Sequence, residues 1–403
     1  MSCSTGSATQ VTYIKEATAG TTPATSTKGD SFVPTSVNLQ LNRDSFTSSK
    51  IVSNQQILDS RLGNQNVSGD FGIELTSLEQ DFAFEAVLGG RYVPSKNVTS
   101  TTFAVNATTK VMSGLTGLTT APAIAVGDWI TVTSPLNSGA YKVAAVTSTT
   151  VTVVDTKNLL VAETGASATL TSFGAVLKTN LNTASADYLY MPSYTIEVLA
   201  TDTGISRQFL GCHVNSVSMD IKPNSISTGS ISWVGYSAGT QSTLAAALFT
   251  THGVNPTPTN NGSNFSPFDG VSVSSVKING VTSSVVTALQ LELTRNLTPN
   301  YVLGSSSVNC ITPGQMSVSG QITTLFDSLT SGYSDFVAGN DISIEFTLTD
   351  AASGMTYTYL MPRVRLTSSD IPIQGSDQVI SATFNIQALF DSASQSTLQI
   401  TRA

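Results

Sequence analysis

The chain has 403 residues, and only 11% of them are charged, against about 25% in an ordinary globular protein. Its formal net charge of −8 argues against gripping nucleic acid, because phosphate binding needs clustered Lys and Arg. Three widely spaced cysteines, Cys3, Cys212 and Cys310, make neither a disulfide framework nor a metal knuckle and read as free thiols. Ser, Thr, Asn and Gly replace the missing charge, and a Thr/Val-rich, turn-rich chain of this kind is expected to be mainly β. No apolar run approaches the roughly 18 residues needed to span a bilayer, and the N-terminus lacks the order of a signal peptide.

Residues 1–35 are Ser/Thr/Gly/Pro-rich, with Val11–Ala17 able to pair as an edge strand or to stay a loose arm. A strand is expected at Ser36–Asn42. Arg43–Asn66 then forms a long polar stretch carrying Ile51, Val52, Ile57 and Leu58; a connection this long usually means a functional or partner-ordered loop. Val67–Leu75 alternates, with Val67, Gly69, Phe71, Ile73 and Leu75 on a dry face and Ser68, Asp70, Gly72 and Glu74 on a wet one. Thr76 and Ser77 offer a helix start, with Glu79 and Gln80 placed for a capping box. Leu78, Phe82 and Ala86 share one helix face, and Gly89–Gly90 ends it.

Between about Val93 and Ala186, three short strands are expected, at Val126–Val132, Asn137–Val143 and Thr149–Val154. Their spacing suggests a small β-barrel or sandwich. Strands follow at Ser193–Ala200, Phe209–Lys222 and Ile226–Gly235. An Asn/Pro/Gly-rich linker precedes a second helix face at Leu329, Tyr333, Phe336 and Val337, closed by Gly339.

The chain repeats itself. Leu39-Gln40-Leu41 with Arg43 returns as Leu291-Glu292-Leu293 with Arg295, an offset of 252, and Val67-Ser68-Gly69 returns as Val318-Ser319-Gly320, an offset of 251. Ile196-Glu197-Val198 matches Ile344-Glu345-Phe346 at 148, and Phe209-Leu210, Val214 and Asp220-Ile221 match Tyr359-Leu360, Val364 and Asp370-Ile371 at 150. The fall from 251 to 148 places roughly a hundred extra residues inside the first copy. The expected domains are 1–92 with 187–250 as a discontinuous first module, 93–186 as an inserted β-domain, 251–266 as a linker and 267–403 as the second module.

Enzyme chemistry finds no foothold. His213 and His252 are the only histidines, and His213 sits beside Cys212 in a strand, where neighbours face opposite sides. No Gly-x-Ser-x-Gly, His-Glu-x-x-His or P-loop spacing occurs. Asp70 and Glu74 share a strand face but lie about 13 Å apart by strand rise, too far for a coupled acid pair. No catalytic residue, metal or cofactor is expected.

Several phrases resemble the tail tube proteins of long-tailed, siphovirus-like bacteriophages. They are Phe209-Leu210-Gly211-Cys212-His213-Val214-Asn215-Ser216-Val217-Ser218-Met219, Tyr13-Ile14-Lys15-Glu16 followed by Gly20-Thr21-Thr22-Pro23, and the Gly69-Asp70 strand leading into one helix. Pro223-Asn224 with Thr228-Gly229-Ser230-Ile231-Ser232-Trp233 adds to them, and Val126-Gly127-Asp128 with Gly139-x-Tyr141-x-Val143 resembles the small β-domain decorating some members. Many relatives carry one tube module, whereas this chain carries two.

The resemblance implies two tandem β-sandwich or barrel modules, each with one helix, plus an inserted small β-barrel or Ig-like domain. It also implies a structural virion protein, made in the host cytoplasm, that stacks rings into a hollow tube for DNA. Duplication would turn a six-module ring into a trimer with pseudo-sixfold symmetry. Implied partners are further copies of the chain, the tape measure protein, the tail terminator and tail tip proteins, with DNA passing unbound and no membrane. Asp70, Glu74, Glu197 and Glu345 would line the lumen, where a negative wall repels phosphate. Asp44, Ser48, Lys50, Ile51, Gln55, Ile57, Leu58 and Arg61 would contact the next ring, with Asn296–Pro313 as a shorter counterpart. The rivals are a virion decoration protein, a bacterial surface-layer or adhesin-type protein, and a polysaccharide-degrading β-enzyme, which would need a carboxylate pair among aromatics.

Overall fold

The computed structural model describes the chain outside residues 1–3, 52–55, 58, 93–95, 122, 127, 138, 156–159, 173–175, 255–265, 327–332, 352–353, 374–376 and 403. It opens with β1 (Thr9–Lys15), β2 (Asp30–Phe32), β3 (Ser36–Val37), β4 (Gln40–Thr47), β5 (Ser60–Glu74) and helix α1 (Asp81–Leu88). A closed barrel follows: β6 (Asn97–Asn106), β7 (Val111–Ser113), β8 (Trp129–Thr133), β9 (Gly139–Val146), β10 (Val151–Val154) and β11 (Glu163–Ser172). Next come β12 (Val176–Leu177), β13 (Tyr194–Ala200), β14 (Ile205–Ile221), β15 (Thr228–Gly235), β16 (Ser237–Ala238), β17 (Ser242–Thr243) and the one-turn α2 (Leu248–Thr251). The remainder runs through β18 (Val273–Ile278), β19 (Val281–Thr282), β20 (Val286–Thr294), β21 (Thr298–Asn300), β22 (Cys310–Thr312) and β23 (Ser317–Leu325). It ends with α3 (Tyr333–Ala338), β24 (Asp341–Thr349), β25 (Thr356–Asp370), β26 (Ser381–Ala388) and β27 (Gln399–Arg402).

The frame is an antiparallel run of eight strands in the order β4-β5-β15-β14-β20-β23-β26-β25. β14 and β25, of 17 and 15 residues, leave this layer for a second one. The first half of β14 pairs with β13, then β1 and β2, while the first half of β25 pairs with β24 and β27. Between the layers the dry residues of β5, Val67, Phe71 and Ile73, are buried, as alternation predicts. Phe71 packs 5.5 Å from Trp233, and Phe82 of α1 stacks 4.4 Å from Tyr13. Burying each such ring stabilises the fold by about 1.5–3 kcal/mol. β1 therefore lies inside the second layer, between β2 and β13, and is not an edge strand.

The strand pairs can be compared at the offsets of the repeated phrases. Leu41 pairs with Val67 and Leu293 with Val318, so the offsets of 252 and 251 persist as hydrogen-bonded register. Gly69 and Gly320 occupy equivalent places, and a Cβ on them would stand 1.8 Å from Asn38 O and 2.0 Å from Gln290 O; only glycine permits that approach. In the other hairpin Ile196 pairs with Phe209 and Ile344 with Met361. Since 344 − 196 is 148 and 361 − 209 is 152, the second strand is displaced by 152, two more than the phrase matching gives. Ala200 opposite Ile205 answers to Leu348 opposite Tyr357, so this connection is four residues longer in the second copy, and the shift of two from the phrase matching keeps every side chain on its face.

Three local expectations are corrected. Arg43–Asn66 is not a loop: Arg43 pairs with Gln65, Ser45 with Leu62 and Thr47 with Ser60, so β4 and β5 continue as a two-stranded arm. Helix α1 begins at Asp81 and not at Thr76 or Ser77, although Gln80 Oε1 accepts from Thr76 N–H at 3.0 Å as the capping box expects. Ser77 Oγ instead donates to Asp350 Oδ2 (3.2 Å) and Leu78 N–H to Tyr357 Oη (2.9 Å), so the second half holds this turn open and Leu78 (φ 73°) precedes the helix. In α3 Tyr333 and Val337 are exposed and no residue is buried, while Leu329 lies outside the described residues.

The barrel buries Phe103, Met112, Leu118, Ile130 and Leu170 in a core of its own. Ser172 N–H donates to Lys96 O at 2.7 Å, so its entry and exit meet. β8, β9 and β10 match the expected strands, with Gly127 and Ser138 of their turns outside the described residues. Of the expected linker, residues 255–265 also lie outside them.

Candidate functional site

The wet face of the eight-stranded run carries two of the predicted residues. Asp70 and Glu74 project there from β5. Ladder by ladder Glu74 stands opposite Thr228, Thr228 opposite Asp220, Asp220 opposite Gln290, Gln290 opposite Gln321 and Gln321 opposite Asn385. Side chains hydrogen-bond along these rows: Ser216 to Ser232 (2.7 Å), Ser218 to Ser230 (2.8 Å), Gln290 Nε2 to Asp220 Oδ1 (3.2 Å) and Gln321 Nε2 to Asn385 Oδ1 (3.1 Å). Such cross-strand pairs fix register and hold short side chains flat. Asp220, Glu292 and Asp370 add acid to the face, and sequence reasoning missed them because each sits in a strand whose neighbours only the topology supplies. The nearest cations are committed, Lys222 to Asp220 (2.6 Å) and Arg365 to Asp341 (2.6 Å).

Two predicted lumen residues do not belong to this face. Glu197 lies in β13 of the second layer, fully buried, and accepts from Ser206 Oγ, Gln208 Nε2 and the Leu248 N–H that opens α2. Buried carboxylates persist when donors replace water, and this one braces β14 and α2. Glu345, in β24 of the same layer, is half-buried and paired with Lys277 at 2.6 Å. Alternation alone cannot say which layer a strand joins. Glu16, which sequence reasoning left without a role, is of the same kind. It accepts from Gly20 N–H (2.8 Å), Thr195 Oγ1 (2.7 Å) and Gly211 N–H (2.9 Å), tying together two of the phrases that carry the phage resemblance.

The arm collects the other predicted residues. Asp44 and Arg61 lie in its ladder strands, and Arg61 meets Asp59 at an exposed 3.8 Å. Ser48 N–H donates to Asp59 O at 2.9 Å, and Lys50 N–H to Ser48 Oγ at 3.4 Å. Phe46, Ile51, Ile57 and Leu62 are all exposed; an apolar group of this kind on a projecting hairpin marks a contact surface. Gln55 and Leu58 lie outside the described residues. Asn296–Pro313 forms a second, shorter hairpin from β21 and β22 with Leu303 exposed at its tip. The two arms touch where Gln65 N–H donates to Ser306 O (2.8 Å) and its Nε2 to Ser307 Oγ (3.0 Å).

Both ends of the strand run are open. Among the described residues β4 pairs only with β5, and β25 between Leu366 and Asp370 pairs only with β26. Unpaired edges of this sort are templates for another chain. Among the described residues no group of three or more metal-ligating side chains gathers, and no helix is long and apolar enough to cross a membrane. A search of curated proteins gives no match. A family model described as phage tail tube protein matches residues 6–388.

Proposed function

The chain belongs to the phage tail tube protein family, and from that premise we propose that it polymerises into stacked rings whose wet faces enclose a lumen for phage DNA. Membership places it in the virion tail with a structural role. The observation that carries the finer reading is the eight-stranded run with an acidic, hydroxyl-rich face and an open edge at each end. Joined edge to edge, such sheets form a closed wall, and a wall bearing Asp70, Glu74, Asp220 and Glu292 repels phosphate instead of holding it.

The chain supplies two modules, residues 1–92 with 187–250 and residues 267–403, so three chains complete a ring of pseudo-sixfold symmetry, as in a siphovirus-like tube. Residues 93–186, containing the barrel, form an inserted domain that projects outward. The two arms reach the next ring, and the tape measure, terminator and tip proteins are the tube's partners in the tail. Electron microscopy with native mass spectrometry of the concentrated protein tests this: stacked rings with the mass of three chains are expected. Rings of six chains would overturn the pseudo-hexamer, and a monomer indifferent to tail-tip seeds would overturn the tube.

A further inference from the structure

Within the eight-stranded run the two halves of the chain join at β14 and β20, and the equivalent edges are left open at both ends of the run. Inside the chain, the C-terminal half of β14 pairs with β20, Ser216 opposite Thr294, Met219 opposite Leu291 and Ile221 opposite Leu289. Just beyond, Arg295 N–H donates to Asn215 O at 2.8 Å. The Arg295 guanidinium runs beneath the sheet to the end of α1. Nη1 donates to Ala86 O and Val87 O at 3.3 Å each, and Nη2 to Leu189 O at 3.2 Å. A cation there satisfies the last-turn carbonyls and the negative end of the helix dipole.

The repeat carries the paired strands, the arginine and the helix end of this contact to a second address. The offset of 252 takes Leu293 and Arg295 to Leu41 and Arg43. The offset of 152 takes Ser216, Met219 and Ile221 to Ser368, Ile371 and Ile373. Gly90 N–H donates to Glu85 O and Asn340 N–H to Asp335 O, an offset of 250 that takes Ala86 and Val87 to Phe336 and Val337. Gly89 (φ 68°) and Gly339 (φ 66°) close the two helices alike. The chemistry is kept but the cover is gone: Leu293 is 0% exposed and Leu41 38%, and Val87 is 0% exposed and Val337 67%. Arg43 is exposed, and its guanidinium has no hydrogen-bond partner among the described residues.

We propose that these two open halves complete each other in trans, so that β4 of one copy adds antiparallel to the C-terminal half of β25 in the next. Asn42 stands opposite Ser368 and Leu39 opposite Ile371, and Arg43 donates to Phe336 O and Val337 O at the end of the neighbour's α3. The occupant is a second copy of this chain because the chain already contains the finished version of the joint. The proposal rests on the ring reading and specifies its seam. The contact is heterologous, so successive copies close a ring or run on as a filament.

The test is a cysteine pair, Asn42→Cys with Ser368→Cys, in a chain whose Cys3 and Cys310 are replaced by serine. Residues directly opposite in an antiparallel ladder lie about 4.5–5.5 Å apart at Cα, within disulfide reach. Oxidised rings should then run as covalent oligomers, whereas Asn42→Cys with Ile371→Cys should stay unlinked. Arg43→Ala should leave the melting temperature of the free chain unchanged and raise the concentration needed for rings at least tenfold. Rings that form without the 42–368 link overturn the seam and leave the tube standing. Chains that neither link nor assemble on tail-tip seeds overturn both.

Discussion

Arg402, in the last strand, reaches Asp81 in the first turn of α1, and the two are hydrogen-bonded and almost wholly buried. Its guanidinium lies 3.5 Å from the centre of the Tyr92 ring, and Tyr357 Oη stands 3.3 Å from the same carboxylate. Burial pushes Asp81 up, and Arg402, Tyr357 and Tyr92 pull it back. This cluster fastens the C-terminal strand to the first helix. Replacing Arg402 by Met leaves a buried carboxylate unpaired and should cost about 3–5 kcal/mol, read by urea unfolding; Arg402→Met with Asp81→Asn should recover part of the loss. His213 gives the pH dependence. Burial lowers its pKa, with Arg295 adding to this and Glu16 opposing it. The folded state therefore refuses a proton that the unfolded chain accepts below about 6.5. Stability contributed by His213 is complete above that pH and falls as the pH drops toward the lowered folded value. Melts between pH 7.5 and 5.5 should show a shallower fall in His213→Gln than in the parent. Asp81, raised by burial, works in the opposite direction, so the difference between the two slopes is the readout.

At the scale of elements, the alternation of Val67–Leu75 was fully legible, because one dry face and one wet face leave a period of two. The arm was not. Its residues alternate no hydrophobicity, since in the free chain neither face of it is buried, and a strand exposed on both sides looks like a loop. Glu197 was misread for the converse reason: a carboxylate announces water, and donors to it come from Ser206, Gln208 and Leu248, which only the fold assembles. The start of α1 was displaced by contacts to Asp350 and Tyr357, more than 270 residues away. Deleting residues 48–58 at the arm tip should leave ring formation intact and abolish stacking; tubes of normal length in that variant would remove the arm from ring-to-ring contact. Excising 97–172 and joining Lys96 to the following segment through a short Gly/Ser link should spare rings, since entry and exit already meet. Loss of assembly in a folded, barrel-free chain would place the barrel in the wall.

At the scale of the molecule, the wet face matters as a whole more than through any residue. Its hydroxyls pair with one another and its few cations are held by carboxylates, so a polyanion moving past finds little to grip. Changing both Asp70 and Glu74 to Lys should leave tubes intact and slow DNA delivery severalfold, measured as potassium efflux or genome entry after adsorption. Unchanged ejection would remove these carboxylates from the lumen.

The barrel occurs once per chain while the strand run contains its joint pattern twice. Any ring built of whole chains therefore repeats half as often on its outside as along its wall. On the proposed ring, a protein that docks on the exterior would count chains, and one that seats on the rim of the bore would count half-chains. In that arrangement the inner and outer layers of the tail would obey different rotational symmetries without a separate adaptor between them.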